Sequence, residues 1–255
     1  MAKNEVMMTE EKAAVAVTNE PALVAVEQED MIVPFLKVIQ SLSEETTPGK
    51  DKYNELVRPG DIYDSVTRTI FKNAKAVICG LKKYYAEWTP EVRGTLVGKH
   101  AATSEVVQNA VKVSRKTDKG SDFFSLQTKT GNDLIETYGI VMIVKTEDGL
   151  VLPAVLTLSK TSFMVGKQLS TLLAIHQRNG VPVFKLSTTS SSNSKGSWFK
   201  PTFSLDSYEK DESILAMARS MSEIVDNILF KTSGEEVAAE AAAQSVDDNA
   251  EDDLI

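Results

Sequence analysis

The chain has 255 residues, with 28 Lys plus Arg against 36 Asp plus Glu for a formal net charge of −8, and 42% hydrophobic and 7% aromatic residues. This composition excludes a wholly disordered chain, while one cysteine (Cys79) and two histidines (His100 and His176) leave no material for a disulfide framework, a multi-cysteine site or a histidine-rich metal centre; no metal or other cofactor is expected. Apolar runs fall short of the roughly 18 to 20 residues that cross a bilayer, and the opening MAKNEVMMTEEK lacks the basic-then-apolar form of a secretory signal, so a cytoplasmic protein with no membrane partner is expected.

Residues 1–30 carry two basic and seven acidic side chains and no aromatic ring. Such a segment buries too little apolar surface to offset the entropy of ordering, and disorder is expected. From Met31 the pattern changes to short apolar stretches rich in β-branched and aromatic residues, punctuated by Pro48-Gly49, Pro59-Gly60, Lys119-Gly120, Gly131-Asn132 and Asp148-Gly149. Strands are predicted over 74–88, 122–130, 134–146 and 150–158, the last two joined by a hairpin at Glu147-Asp148-Gly149. The spacing of Phe163, Leu169, Leu172, Leu173 and His176, closed by Gly180, predicts a helix over 160–179. Strands over 181–189 and 197–205 follow. A second apolar stripe, Ile214, Leu215, Met217, Ala218, Met221, Ile224, Val225, Ile228 and Leu229, predicts a helix over 212–230 that packs on its own domain or pairs with a second copy, leaving a homo-oligomer open. Residues 233–255 hold eight acidic side chains, no basic one and no aromatic, and again read as a disordered tail. A single strand-rich domain over 31–232, with 26 basic and 21 acidic residues, thus lies between acidic ends. The fold class is mainly β with two helices (α+β), in an order compatible with an OB-fold-like antiparallel barrel.

Enzyme signatures are weak, and a non-enzyme is expected. Gly166-Lys167-Gln168 resembles the end of a Walker A loop, but Thr161 replaces its first glycine and Gln168 its hydroxyl residue. Asp133, Glu136 and Lys145 faintly suggest a metal-dependent nuclease, although the lysine stands nine residues beyond Glu136. Cys79 within an apolar strand and His176 beside Leu172 and Leu173 read as core or core-boundary residues.

Basic and aromatic side chains interleave more purposefully, in a pattern that suits single-stranded nucleic acid: cations neutralise phosphates, and exposed bases stack on rings regardless of sequence. One cluster holds Lys82, Lys83, Tyr84, Tyr85, Trp88 and Arg93, with Lys82, Tyr84 and Trp88 on one strand face and Lys83 and Tyr85 on the other. A second, read as a flexible cationic loop, holds Lys112, Arg115, Lys116 and Lys119 before Phe123-Phe124. A third holds Lys195, Trp198 and Lys200. The C-terminal run ends in Asp252, Asp253, Leu254 and Ile255, an acidic stretch tipped by two apolar residues that suits docking in a basic, partly apolar pocket of a partner.

An acidic tip after a basic, aromatic, strand-rich body resembles bacterial and bacteriophage single-stranded DNA-binding proteins. The segments 33–40 (VPFLKVIQ), 184–188 (FKLST) and 193–199 (NSKGSWF) are similar to stretches of phage replication proteins. The resemblance implies an OB-fold core, sequence-independent coating of single-stranded DNA in replication, recombination or repair, and recruitment of replication or recombination proteins through the tail, in the host cytoplasm. Two alternatives remain at this point: a strand-annealing recombination mediator, and a structural or scaffold protein that binds no nucleic acid.

Overall fold

The computed structural model describes residues 33–91, 94–116, 122–193 and 196–230. Their β-branched and aromatic runs pair into a single eleven-stranded sheet that curls into a half-barrel. Its strands are β1 (Phe35–Val38), β2 (Ile62–Asp64), β3 (Ile70–Phe71), β4 (Lys75–Trp88), β5 (Leu96–Ala101), β6 (Val111–Lys116), β7 (Asp122–Gln127), β8 (Asp133–Lys145), β9 (Val151–Ser159), β10 (Pro182–Asn193) and β11 (Gly196–Tyr208). Four α-helices accompany them among the described residues: α1 (Glu105–Gln108), α2 (Phe163–His176), α3 (Glu212–Glu223) and α4 (Val225–Phe230). Strand order is β11-β10-β4-β8-β9-β1-β2-β3, with β5 beside β4 and a β6–β7 ribbon hung on β8. The β1–β9 pair is parallel, whereas the other pairs are antiparallel.

The spine is the β4–β8 pair, running from Lys75 opposite Lys145 to Trp88 opposite Asp133, which at about 3.3 Å per residue makes it roughly 40 Å long. A bulge between Ile78 and Gly80 shifts the alternation of β4, so Ala76, Ile78, Leu81, Lys83 and Tyr85 share one face while Val77, Gly80, Lys82, Tyr84 and Trp88 share the other. On the first face, Ile140, Met142, Val144, Leu156, Leu158, Phe184 and Leu186 pack with Leu169 of α2. On the second, Val141, Ile143, Val155 and Val183 pack with Ile214, Ala218, Met221, Val225 and Leu229 of α3 and α4. The curl brings the loop after β1 against the β10–β11 hairpin: the Gln40 side chain accepts from Phe199 N and donates to Phe199 O, and Thr188 Oγ1 donates to Gly60 O. Gly60 has φ +90°, and a Cβ there would stand 2.8 Å from the Phe199 ring, so only glycine serves this contact.

Several expectations change. An OB barrel has five strands, whereas this sheet has eleven and its helices cover opposite faces. The predicted 212–230 helix breaks at Ile224 (φ −110°, ψ 12°), and the bend seats Val225 and Leu229 over Gly80 and Gly139, where a Cβ would lie 2.3 and 2.7 Å from them. Ile214, Ala218, Met221, Val225 and Leu229 of the stripe are thereby buried against its own sheet, while Met217 stays 39% exposed. The helix predicted over 160–179 comprises α2 flanked by 3-10 turns at 160–162 and 177–179. Residues 111–116, expected to be loop, form β6; in the sequence VKVSRK too little of either face is apolar to mark a strand, because the ribbon is largely solvated. The segments 1–30 and 233–255 lie outside the described residues.

Candidate nucleic-acid interface

Alternation along β4 divides the first basic and aromatic cluster in two. Tyr84 and Trp88 turn towards α4 and are core residues, 0% and 3% exposed; the Tyr84 ring meets Phe230 edge-on at 5.8 Å, and Trp88 packs with Ala86 and Leu96. This corrects the expectation that these two rings stack on bases: the end of α4 and strand β5 cover their face. Lys82, on the same side, is ion-paired with Asp226 at 2.7 Å.

Lys83 and Tyr85 turn the other way and converge on Glu136, which is registered opposite Tyr85 on β8. Lys83 Nζ and the Tyr85 hydroxyl both donate to Glu136 Oε1 at 2.9 Å, and Lys83 Nζ lies 6.0 Å from the Tyr85 ring centroid. Burial acts to raise the Glu136 carboxyl, but these two hydrogen bonds and the charges of Lys83 and Lys167 outweigh it and hold the group below its ordinary range. The bond to Glu136 raises the Lys83 ammonium, while burial and then the same carboxylate raise the Tyr85 phenol. Beside them, the first turn of α2 places Lys167 Nζ 5.2 Å from the Phe163 ring, which packs on Tyr138 at 4.9 Å. Gly166 permits this approach, since a Cβ there would lie 2.4 Å from the Tyr138 ring.

The β6–β7 ribbon carries the third pair. Lys112 Nζ lies 5.0 Å over the ring of Phe124, which is 63% exposed. Leu126 is opposite Leu134 and Phe124 is two residues further along, so alternation puts this pair on the same sheet face as Tyr85 and Glu136. Lys116 is exposed on the Lys112 side of the ribbon, and Arg115 turns to the other side to donate to Asp133 at 2.5 Å. Asp133 and Glu136 thus occupy opposite faces, each held by its own cation, and Lys145 is paired with Glu209 at 2.9 Å, so these three residues do not converge. Among the described residues no group of three His, Cys, Asp or Glu side chains is placed to hold a metal.

Trp198 and Lys200 form a further pair, with Lys200 Nζ 5.9 Å from the ring; the Trp198 Nε1 is buried with no hydrogen-bond partner among the described residues. They lie on the opposite side of β11 from Phe203, and β10 carries this hairpin past Lys75, at the far end of the spine from the β6–β7 ribbon. The three sequence clusters therefore do not line one groove. Arg93, Lys119, Lys195, the Phe123 side chain, and Asp252, Asp253, Leu254 and Ile255 lie outside the described residues. Sequence reasoning missed Lys167, Phe163 and Tyr138, whose partnership joins a helix to a distant strand and leaves no local signal. Cys79 sits in the strand with its thiol pushed up to about 11 by burial, and His176 Nδ1 lies 3.3 Å from the Tyr208 hydroxyl. No helix among the described residues is long and apolar enough to cross a membrane.

A family model described as Pam3 phage gp34-like protein matches residues 8–228. No curated protein and no solved structure matches the chain.

Proposed function

The chain belongs to the Pam3 phage gp34-like protein family, and from that starting point we propose that it binds single-stranded DNA without sequence preference in phage replication or recombination. The observation that carries this reading is the presence of three cation–ring pairs on one sheet face: Lys83 with Tyr85, Lys167 with Phe163, and Lys112 with Phe124. Phosphates displace counterions from Lys83, Lys112, Lys116 and Lys167, and bases stack on Phe124 and Tyr85. Each stacked base contributes about 1–3 kcal/mol, so two rings together with the electrostatic attraction suffice for useful affinity. In the free protein Glu136 holds Lys83 and Tyr85 in position, and an arriving phosphate takes over its two donors. The acidic tip at Asp252, Asp253, Leu254 and Ile255, beyond the matched residues, recruits replication or recombination proteins.

The test is the affinity for a fluorescent oligo-dT strand across a salt series. The proposal expects binding that weakens steeply with salt, and a loss of about tenfold for Phe124→Ala, a fraction of the stacking energy of one base. No binding at low salt, or binding indifferent to Phe124→Ala and Lys112→Ala together, rejects it. Mixing complementary strands in the same assay separates a coating protein from an annealing one.

A further inference from the structure

Away from that face, the 50–55 turn and the β2–β3 hairpin border an open cavity of about 340 Å³ lined by Lys52, Tyr53, Asn54, Glu55, Tyr63 and Arg68. That volume lies within the range of small-ligand sites. Tyr63 is only 4% exposed as a residue and lines the cavity, and burial, followed by the charge of Glu45, raises its phenol, so its hydroxyl keeps its proton and is a donor. The Arg68 guanidinium has no ion pair among the described residues. Asn54 uses its Oδ1 to accept from Leu56 N, which leaves its amide N–H groups available. Lys52 is held only by a long, exposed pair with Glu44 at 3.5 Å, the kind that gives way readily.

The backbone around these donors is set in advance. Arg68 has φ +59°, a left-handed conformation that a non-glycine residue adopts at a cost. The buried Asp64 carboxylate imposes it by accepting from Val66 N at 2.8 Å and Thr67 Oγ1 at 2.5 Å, while Asp64 N donates to Thr69 O. Beneath the 50–55 turn, buried Glu45 is ion-paired with Lys37, and its carbonyl accepts from Asn54 N. The carboxylates of Glu45 and Asp64 also act on Tyr63, but Lys37 holds the first and Val66 N and Thr67 Oγ1 hold the second; on the lining itself a forked guanidinium, an ammonium, a phenol and an amide stand against Glu55 and favour an anion with several acceptor oxygens. The Tyr53 ring, 44% exposed on the cavity wall, favours a planar group attached to it.

We propose that this cavity binds the 5′-phosphate of a nucleotide, with Arg68, Lys52 and the Tyr63 hydroxyl on the phosphate oxygens and Tyr53 stacked on the base. Glu55 is left to accept from a sugar hydroxyl or a base amino group. The site does not depend on the cation–ring face, and the two stand or fall separately.

The experiment titrates the full chain with AMP, adenosine and inorganic phosphate at low salt. AMP is expected to bind at least tenfold more tightly than either of the others. Arg68→Gly, which removes the guanidinium and keeps a residue suited to the left-handed backbone, is expected to lower AMP affinity at least tenfold without lowering the melting temperature, and Tyr63→Phe to lower it several-fold. Oligo-dT strands with and without a 5′-phosphate identify the source: an Arg68-dependent gain from the phosphate assigns the site to strand ends, and its absence with AMP binding retained assigns it to free nucleotides. AMP binding no tighter than adenosine, or unchanged in Arg68→Gly, overturns the proposal. If oligo-dT binding fails while AMP binding persists, the cavity stands and the cation–ring face does not.

Discussion

Glu136 governs the candidate face before anything binds to it, because one carboxylate oxygen holds both Lys83 and Tyr85. Its pKa is depressed in the folded chain, so the stability it contributes is present at neutral pH and is lost as pH falls from the ordinary carboxylate value, about 4.3, through the lower folded value. The acid-side drop in melting temperature is therefore expected to be smaller for Glu136→Gln than for the native chain, measured by thermal unfolding between neutral pH and the acid limb. The same substitution releases Lys83 and removes a charge that repels phosphate, so oligo-dT affinity is expected to rise by about three- to tenfold at low salt and less at high salt. The two tryptophans are predicted to differ. Trp88→Ala empties a core position and is expected to cost about 3–5 kcal/mol in denaturant unfolding. Trp198→Phe removes a buried N–H that has no partner among the described residues, and is expected to leave stability within about 1 kcal/mol of native or to raise it.

At the scale of elements, close approach is set by glycines under helices. The bulge at Ile78–Gly80 and the break at Ile224 together let α4 lie on the β4–β8 spine. Gly80→Ala forces a Cβ to within 2.3 Å of Val225 Cγ2 and is expected to cost about 1–3 kcal/mol, read from the denaturation midpoint. Among the described residues the β6–β7 ribbon pairs with β8 at Leu126–Leu134 and Gln127–Asp133, and the Arg115–Asp133 pair reinforces that junction. Arg115→Ala is thus expected to speed amide exchange across 111–127 by about tenfold while the global unfolding free energy changes little.

For the whole molecule, charge distribution and sheet geometry pull apart what the chain puts close together. The acidic residues of 233–255 oppose any bound strand, so a chain ending at Ser233 is expected to bind oligo-dT several-fold more tightly at low salt, with the gain vanishing at high salt as screening sets in. One hairpin and the long helices were legible from local signals: Glu147-Asp148-Gly149 does join two long paired strands, the strands expected over 181–189 and 197–205 pair as β10 and β11, and the stripe from Ile214 to Leu229 is a helical face. The placement of rings was not legible. Lys82-Lys83-Tyr84-Tyr85 shows that consecutive side chains oppose one another, since a strand has period two, but nothing within the segment states which face a helix more than a hundred residues later will cover.

Amino-acid order by itself marked six of the eleven strands, the turn at 147–149 and the two long helical stripes, because period, turn chemistry and β-branching act over a few residues; the short strands β1, β2 and β3, and β5 and β6, carry too little apolar pattern to show. Only the tertiary structure decided that Trp88 and Tyr84 are core, that Lys167 joins Lys83 around Glu136, and that Trp198 lies at the far end of the spine from Phe124. It also decided that Arg68 and Tyr63 share a cavity with Lys52. Each of these depends on strand order, register and helix docking, which are settled by burial contacts between residues far apart in the chain.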